Sequence, residues 1–366
     1  MKVTIIGTHG IPARYGGFET FAEKLATACA LAGIDVRVIN DKYNAPSPVP
    51  EGIKVISSSF SKSEKPLDFY RESLELASKD SDIVLCCGVG GAYYYGKRYS
   101  RNYKIITNID GLEHLRRKYT FVQKVVVFFL QYFAANRSDY IIADSNEVWG
   151  YWTNRFPSTT SKIKVIGYGA DECLPFNDDI LKKYGLAKNG YLLVIARLVP
   201  ENNIDEIIKA FRSYMGNKKL VITGSMENST FCIELKKLAN ENVIFTGSIY
   251  NKQELDSLRQ GCFIYLHGHS VGGTNPSLLE ALAAGCACIC HDNVFNREVT
   301  NGGQVYFMKA ADLAIILNLF EQKATELEAF RKKSLDRVRQ KNSWEQVCTA
   351  YINLFNKLHR THSSKS

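Results

Sequence analysis

The residues with the clearest chemical potential lie at 267–280, HGHSVGGTNPSLLE. An apolar run (Cys262, Phe263, Ile264, Tyr265, Leu266) precedes them, and a helix-like run ending at Gly285 follows. A strand, a Gly-Gly-Thr-Asn-Pro-Ser loop and a helix start make an anion cradle. The N–H groups of the first turn lack intrahelical partners, and that end of the helix is positive. Pro276 suits the first helical turn, where a missing N–H costs nothing. Glu280 projects about one turn in, a carboxylate placed to accept from hydroxyl groups. An ordinary β-to-α turn is the plain alternative. A second glycine-containing loop, GTHGIPARYGG, spans 7–17. Gly16 and Gly17 there allow close backbone approach to an anion, or simply a turn. Neither this loop nor Gly88-x-Gly90-Gly91 completes G-x-G-x-x-G, which argues against a dinucleotide site. His267 and His269 form half a metal site with no third ligand in view. Asp80-Ser81-Asp82 has a cation-holding D-x-D spacing, but Asp82 opens an apolar run and falls at the wrong end of a sheet. A surface turn is the reading there.

These loops need elements to hold them. KVTIIG (2–7) reads as a buried strand, and Phe21, Leu25, Ala28 and Ala32 recur at helical spacing after it. Further strands are expected at 35–40, in IKVISSS, and at 82–88, 104–110 and 139–145. A second alternating series covers YLLVIARLVP (191–200), KLVITGS, NVIFTGSIY, FIYLHG and CACICH, with helices between. Two parallel α/β halves follow, with a joint near 170–185. Polar residues end each apolar run, where open α/β sheets bind ligands. The segment 120–135, TFVQKVVVFFLQYFAA, follows the basic trio Arg116, Arg117 and Lys118. It is too short to span a bilayer; a buried helix is the expectation and contact with a membrane surface the second reading. SWEQVCTAYINLFNKLHR reads as an amphipathic helix carrying Trp344, Val347, Tyr351, Leu354 and Leu358, and THSSKS as a disordered tail.

A length of 366 residues implies two domains. Ten cysteines form no C-x-x-C pair and sit mostly in apolar runs, so free buried thiols in a reducing compartment are expected. MKVTIIGTHG reads as a first strand rather than a signal peptide, and a cytoplasmic protein is expected. The net charge of +9 suits a phosphorylated substrate or an anionic membrane surface. The basic residues are dispersed and no nucleic-acid motif is present, so nucleic acid is not expected as a partner.

Taken together, the Tyr15-Gly16-Gly17 loop, VIGYGAD, ARLVPENNID (196–205), FTGSIY, the 267–280 stretch and SWEQV resemble the retaining glycosyltransferases of family 4, which have the GT-B fold. The resemblance covers nearly the whole chain. GTHGIPARYGGFETF, NIDGLE, VPENNI and HSVGGTNPSLLEA look like a bacterial rhamnosyltransferase subgroup acting in capsule, O-antigen or wall polysaccharide assembly. The resemblance implies two Rossmann-like parallel-sheet domains facing a central cleft. Residues 1–170 would form the acceptor side, 171–340 the nucleotide-sugar side and 341–360 a helix crossing back, with 361–366 as a tail.

Arg197 matches the arginine that holds the donor diphosphate, a planar permanent cation suited to a departing anion. Asn202, followed by Asn203, stands where the family has a lysine. Glu280 matches the glutamate that binds the ribose hydroxyls, and Gly272 stands where a first glutamate is usual. Gly16, Gly17, Gly273, Thr274 and Asn275 complete the implied donor site. Asp110 is the implied cleft-side catalytic carboxylate; Arg14, Glu19 and Glu113 fall on the acceptor side, and His9 shares the first loop. No metal or other cofactor is implied. The leading donor is dTDP-rhamnose, with UDP- or GDP-sugars as alternatives, and the acceptor is a lipid-linked saccharide at the inner face of the membrane. The protein would be cytoplasmic, peripheral on that membrane. Two other classes remain: a nucleotide-sugar epimerase and a non-catalytic nucleotide-sugar-binding protein.

Overall fold

A computed structural model describes residues 1–14, 16–44, 49–96, 101–109, 111, 120–226, 229–271 and 273–363. The chain divides into two units, Met1–Gly169 with Trp344–Ser366, and Ala170–Ser343. The first unit runs β1 (Lys2–Ile6), α1 (Gly17–Leu31), β2 (Asp35–Asn40), β3 (Ile53–Ser57), α2 (Pro66–Ser78), β4 (Ile83–Cys87), β5 (Lys104–Asn108), α3 (Phe121–Arg137), β6 (Tyr140–Ala143), α4 (Asn146–Arg155) and β7 (Ile163–Val165). The second runs α5 (Asp178–Lys183), β8 (Tyr191–Ile195), α6 (Ile204–Arg212), β9 (Lys219–Thr223), α7 (Thr230–Leu238), β10 (Val243–Gly247), α8 (Lys252–Gly261), β11 (Ile264–His267), α9 (Pro276–Ala283), β12 (Cys288–His291), α10 (Val294–Thr300), β13 (Val305–Phe307), α11 (Ala310–Gln322) and α12 (Leu327–Lys341). The last helix, α13 (Trp344–Ser363), returns the chain to the first unit.

Both sheets are parallel. Their strand orders are β3-β2-β1-β4-β5-β6-β7 and β10-β9-β8-β11-β12-β13. The strands read as near-continuous apolar runs because helices cover both faces; β4 is buried at every position. In each sheet the order reverses once, between β1 and β4 and between β8 and β11. The loops leaving the strands diverge at such a point and open a crevice. The α/β fold expected from the sequence is therefore present in both halves.

α13 completes the first unit. Val347, Tyr351, Leu354 and Leu358 are buried, and the Tyr351 ring sits 5.0 Å from Phe21 of α1. Asn108, at the end of β5, donates to the Tyr351 hydroxyl at 2.9 Å. Burying side chains of this size stabilises the unit by about 1.5–3 kcal/mol each.

α3 departs from expectation. Only Gln131, Ala134 and Ala135 of its seventeen residues are buried, whereas Phe121 is 82% and Val122 70% exposed. Small residues and one glutamine face the protein, where α3 packs on the short segments Ala92–Tyr94 and Pro157–Thr159, while Phe121, Val122, Val125, Val126, Phe129 and Tyr132 point outward. The buried-helix reading is corrected accordingly. The ten cysteines are all free, and nine are buried. No described helix is long and apolar enough to cross a membrane.

Candidate functional site

In the second unit the reversal point lies between β8 and β11, and the loops that follow these strands carry Arg197 and, among the described residues, 268–271 and 273–275. The two loops are zipped together. Asn203 Nδ2 donates to the Gly268 carbonyl at 2.8 Å, and Ser270 donates to the Glu201 carbonyl through its N–H at 3.0 Å and its hydroxyl at 2.8 Å. Gly268 is required for this approach, since a Cβ there would stand 2.1 Å from the Asn202 carbonyl oxygen. Asn203 itself adopts φ 51°, a left-handed conformation that asparagine tolerates better than most residues.

Asn202 is buried, and its Nδ2 donates to the Arg197 carbonyl at 2.8 Å. Its amide is thus turned into its own loop and fixes the backbone that carries Arg197, rather than standing outward as a donor contact. The Arg197 side chain is exposed, with no hydrogen-bond or ion-pair partner among the described residues. A lone guanidinium at the carboxyl end of a central strand is available for an anion.

α9 begins beside that loop. Asn275 caps it, accepting from Ser277 N at 3.0 Å, and Pro276 occupies the first turn. Ser277 Oγ donates to the Ile195 carbonyl at 2.9 Å and lies 2.5 Å from the Tyr265 hydroxyl. Ile195 ends β8 two residues before Arg197, so these bonds tie the start of α9 to the strand that carries the arginine. Gly273 and Thr274 are half-buried in the turn between.

Glu280 lies one turn into α9, half-exposed, with Oε2 paired to Arg259 Nη2 from α8. Arg259 is 3% exposed. Burial alone would lower its pKa; Glu280, Tyr265, Cys286 and Asp256 outweigh this and raise it. Asp256 Oδ1 lies 3.6 Å away and pairs onward to Lys252. The carboxylate is therefore held from behind by a cation that solvent does not reach. Sequence reasoning missed Arg259, Tyr265 and Ser277. The one available signal was a charged residue, Arg259, three positions before the apolar run that opens at Cys262.

His267 and His269 stack at 4.3 Å between ring centroids. Neither ring nitrogen of the buried His267 has a hydrogen-bond partner among the described residues. Burial, then His269 and His291, hold its pKa well below the ordinary histidine value. No cluster of three or more metal-ligating side chains occurs among the described residues.

In the first unit, Gly16 precedes α1 and Gly17 is its first residue. Arg14 is exposed. Glu19 is buried, with Oε1 accepting from His9 N at 2.8 Å, so this carboxylate braces the first loop rather than standing out toward an acceptor. His9 Nδ1 lies 3.2 Å from Asp41 Oδ2, at the ends of β1 and β2. Asp80 pairs with Arg37 and Lys2, both at 2.5 Å, and its pKa is lowered to about 2 by Arg37 first and Lys2 second. Asp82 accepts from Lys2 N at 2.7 Å. Both acids lie at the amino end of the sheet, where ion pairs account for Asp80 and a backbone hydrogen bond for Asp82. Tyr15, Asp110, Glu113 and Gly272 lie outside the described residues, as does the basic trio 116–118.

Two family profiles match the chain: Glycosyltransferase Family 4 over residues 15–172 and Glycosyl transferases group 1 over 176–334. No curated protein sequence matches it. Among solved structures it is similar to sucrose-phosphate synthase from Thermosynechococcus elongatus, with TM-score 0.83 at 15% identity, covering 98% of this chain and 99% of that one. It is also similar to Anabaena HepE in complex with UDP-glucose, with TM-score 0.77 at 14% identity, covering 97% and 99%. WaaG, described as a glycosyltransferase of lipopolysaccharide biosynthesis, aligns with TM-score 0.73 at 13% identity over 96% and 98%. At these identities the similarity is one of fold.

Proposed function

We propose that this chain, which belongs to the family 4 glycosyltransferases of the GT-B type, takes a sugar from a nucleoside diphosphate donor bound at the β8/β11 reversal point. The observation that carries the reading is the joined pair of loops, which brings an uncommitted Arg197 and the capped start of α9 to the same sheet end. Arg197 would meet the diphosphate, with the first-turn N–H groups of α9 beside it. Glu280, held by Arg259, would accept from the 3′-hydroxyl of the donor's pentose. That HepE is described with UDP-glucose bound supports a nucleotide-sugar donor.

The reaction in this reading retains configuration. The anomeric carbon–phosphate oxygen bond breaks as the acceptor oxygen bonds to the same face of that carbon, and the acceptor proton passes to the leaving diphosphate. Charge grows on the diphosphate as the bond breaks, so a fixed guanidinium contributes more in the transition state than in the ground state. Asp110 is proposed to contact the transferred sugar or the acceptor hydroxyl, with Gly16, Gly17, Arg14 and Glu113 contributing from the first unit. No step requires a metal.

The donor is proposed to be dTDP-rhamnose and the acceptor a lipid-linked saccharide at the cytoplasmic membrane. Gly272 in place of a glutamate removes one sugar-binding carboxylate, which fits a 6-deoxy sugar with fewer hydroxyls to hold. A panel of dTDP-, UDP- and GDP-sugars with a lipid-linked acceptor, read by mass spectrometry of the product, tests this. Transfer from UDP-glucose with dTDP-rhamnose inert would overturn the donor. Turnover of a nucleotide sugar without acceptor would instead point to an epimerase.

A further inference from the structure

The outward face of α3 has no role in the donor site. Phe121, Val122, Val125, Val126, Phe129 and Tyr132 are all exposed. At about 100° per residue they fall within one stripe less than half the helix circumference wide. The same spacing places Lys124 on one margin of the stripe and Arg137 on the other. α3 contains no acidic residue. Arg137 stacks over Phe133 at 4.3 Å and donates to the Tyr93 carbonyl at 2.5 Å, while Arg155 of α4 stacks over Phe128 at 4.6 Å. Tyr93, itself exposed, packs against Phe133 at 5.6 Å and widens the apolar surface. Aromatic and aliphatic side chains with cations at their margins and no acid on the helix form a surface complementary to lipid tails beneath anionic headgroups. A second copy docking through this face would oppose Lys124, Arg137 and Arg155 to themselves, which disfavours a dimer.

We propose that α3 is a membrane-docking surface, lying in the plane of an anionic bilayer with its Phe121–Tyr132 stripe among the acyl chains. Seventeen helical residues are about 25 Å long, enough to lie along the interface and too few to cross it with this composition. The inference deepens the lipid-linked-acceptor reading, because a surface-bound enzyme meets its acceptor in two dimensions. It does not depend on which sugar is transferred.

The test is flotation of the full chain with vesicles of phosphatidylcholine alone or mixed with phosphatidylglycerol, without donor or acceptor. The expected result is binding to the mixed vesicles only, weakened by salt. V126E/F129E, changed at two exposed positions, is expected to bind at least about fivefold more weakly, since each side chain loses its transfer into lipid. Its melting temperature and donor turnover on a soluble acceptor should match the parent. A smaller loss, equal binding to phosphatidylcholine alone, or no binding by the parent overturns the proposal. So does self-association of the parent that V126E/F129E abolishes. Loss of donor turnover with vesicle binding intact would instead count against the catalytic reading alone.

Discussion

Arg259 and Glu280 form an asymmetric pair, and replacing each in turn should separate stability from donor binding. Arg259 is buried, whereas the Glu280 side chain is 47% exposed. Glu280→Gln leaves a buried cation whose remaining carboxylate partner among the described residues is Asp256, with Oδ1 at 3.6 Å. Removing one partner of a fully buried pair costs about 3–5 kcal/mol; the exposure of Glu280 and the remaining aspartate reduce this to about 1–3 kcal/mol. In a unit of this size that lowers the melting temperature by about 2–12 °C. Arg259→Met behaves differently. It forfeits a solvent-screened pair worth roughly 0.5–1 kcal/mol and also removes the Nε that has no acceptor, so net stability should change by less than about 1 kcal/mol. Glu280 then regains rotamer freedom that donor binding must quench, at about 0.5–1.5 kcal/mol, or roughly two- to tenfold in donor KM at constant kcat. Differential scanning fluorimetry and donor-saturation kinetics on both variants read these quantities. Arg259→Met destabilising more than Glu280→Gln, or leaving donor KM unchanged, would refute the argument.

Other consequences are simpler to check. Arg197→Ala should lower kcat/KM by about 10²–10³ without moving the melting temperature, because the side chain holds no described partner. Gly268→Ala should weaken donor binding and stability together, since its Cβ would meet the Asn202 carbonyl at 2.1 Å; isothermal titration with the nucleoside diphosphate and a melting curve would show both. His267 is harder to protonate in the folded chain than in the unfolded one. The stability it contributes is complete above about pH 6.5, the unfolded value, and falls as pH drops below that toward its depressed folded value. His267→Phe should flatten the melting temperature across this acid range, and an unchanged slope would remove His267 as the cause. Chelation with EDTA should leave the transfer rate unaltered.

The strands and both reversal-point loops were legible because parallel strands buried on two faces must be apolar, and the turns after them need Gly, Asn and Pro. Glu280 was visible for the same reason: its place one turn into a proline-started helix is a local fact. Arg259 was not, since a buried arginine on α8 and a solvated one have the same neighbours in sequence; only the approach of α8 to α9 distinguishes them. Asn202 stands where the family has a lysine, yet the loop carbonyl of Arg197 claims its amide, a competition that composition does not reveal. α3 misled for a different reason. A helix rich in Phe and Val resembles a core helix until Gln131 is seen facing the protein and the aromatic rings facing out.

The return of α13 gives the protein an order of assembly. All seven strands of the first unit lie before residue 170, yet the helix that covers Phe21 and binds Asn108 begins at Trp344. At about 5–20 residues per second, roughly 10–40 s of synthesis separate the two. During that interval the contiguous second unit can fold on its own, while the first sheet waits with an apolar groove open on α1. A ribosome-stalled or truncated chain ending at 343 should therefore recruit a hydrophobic-surface chaperone through its first unit, and adding residues 344–363 should release it.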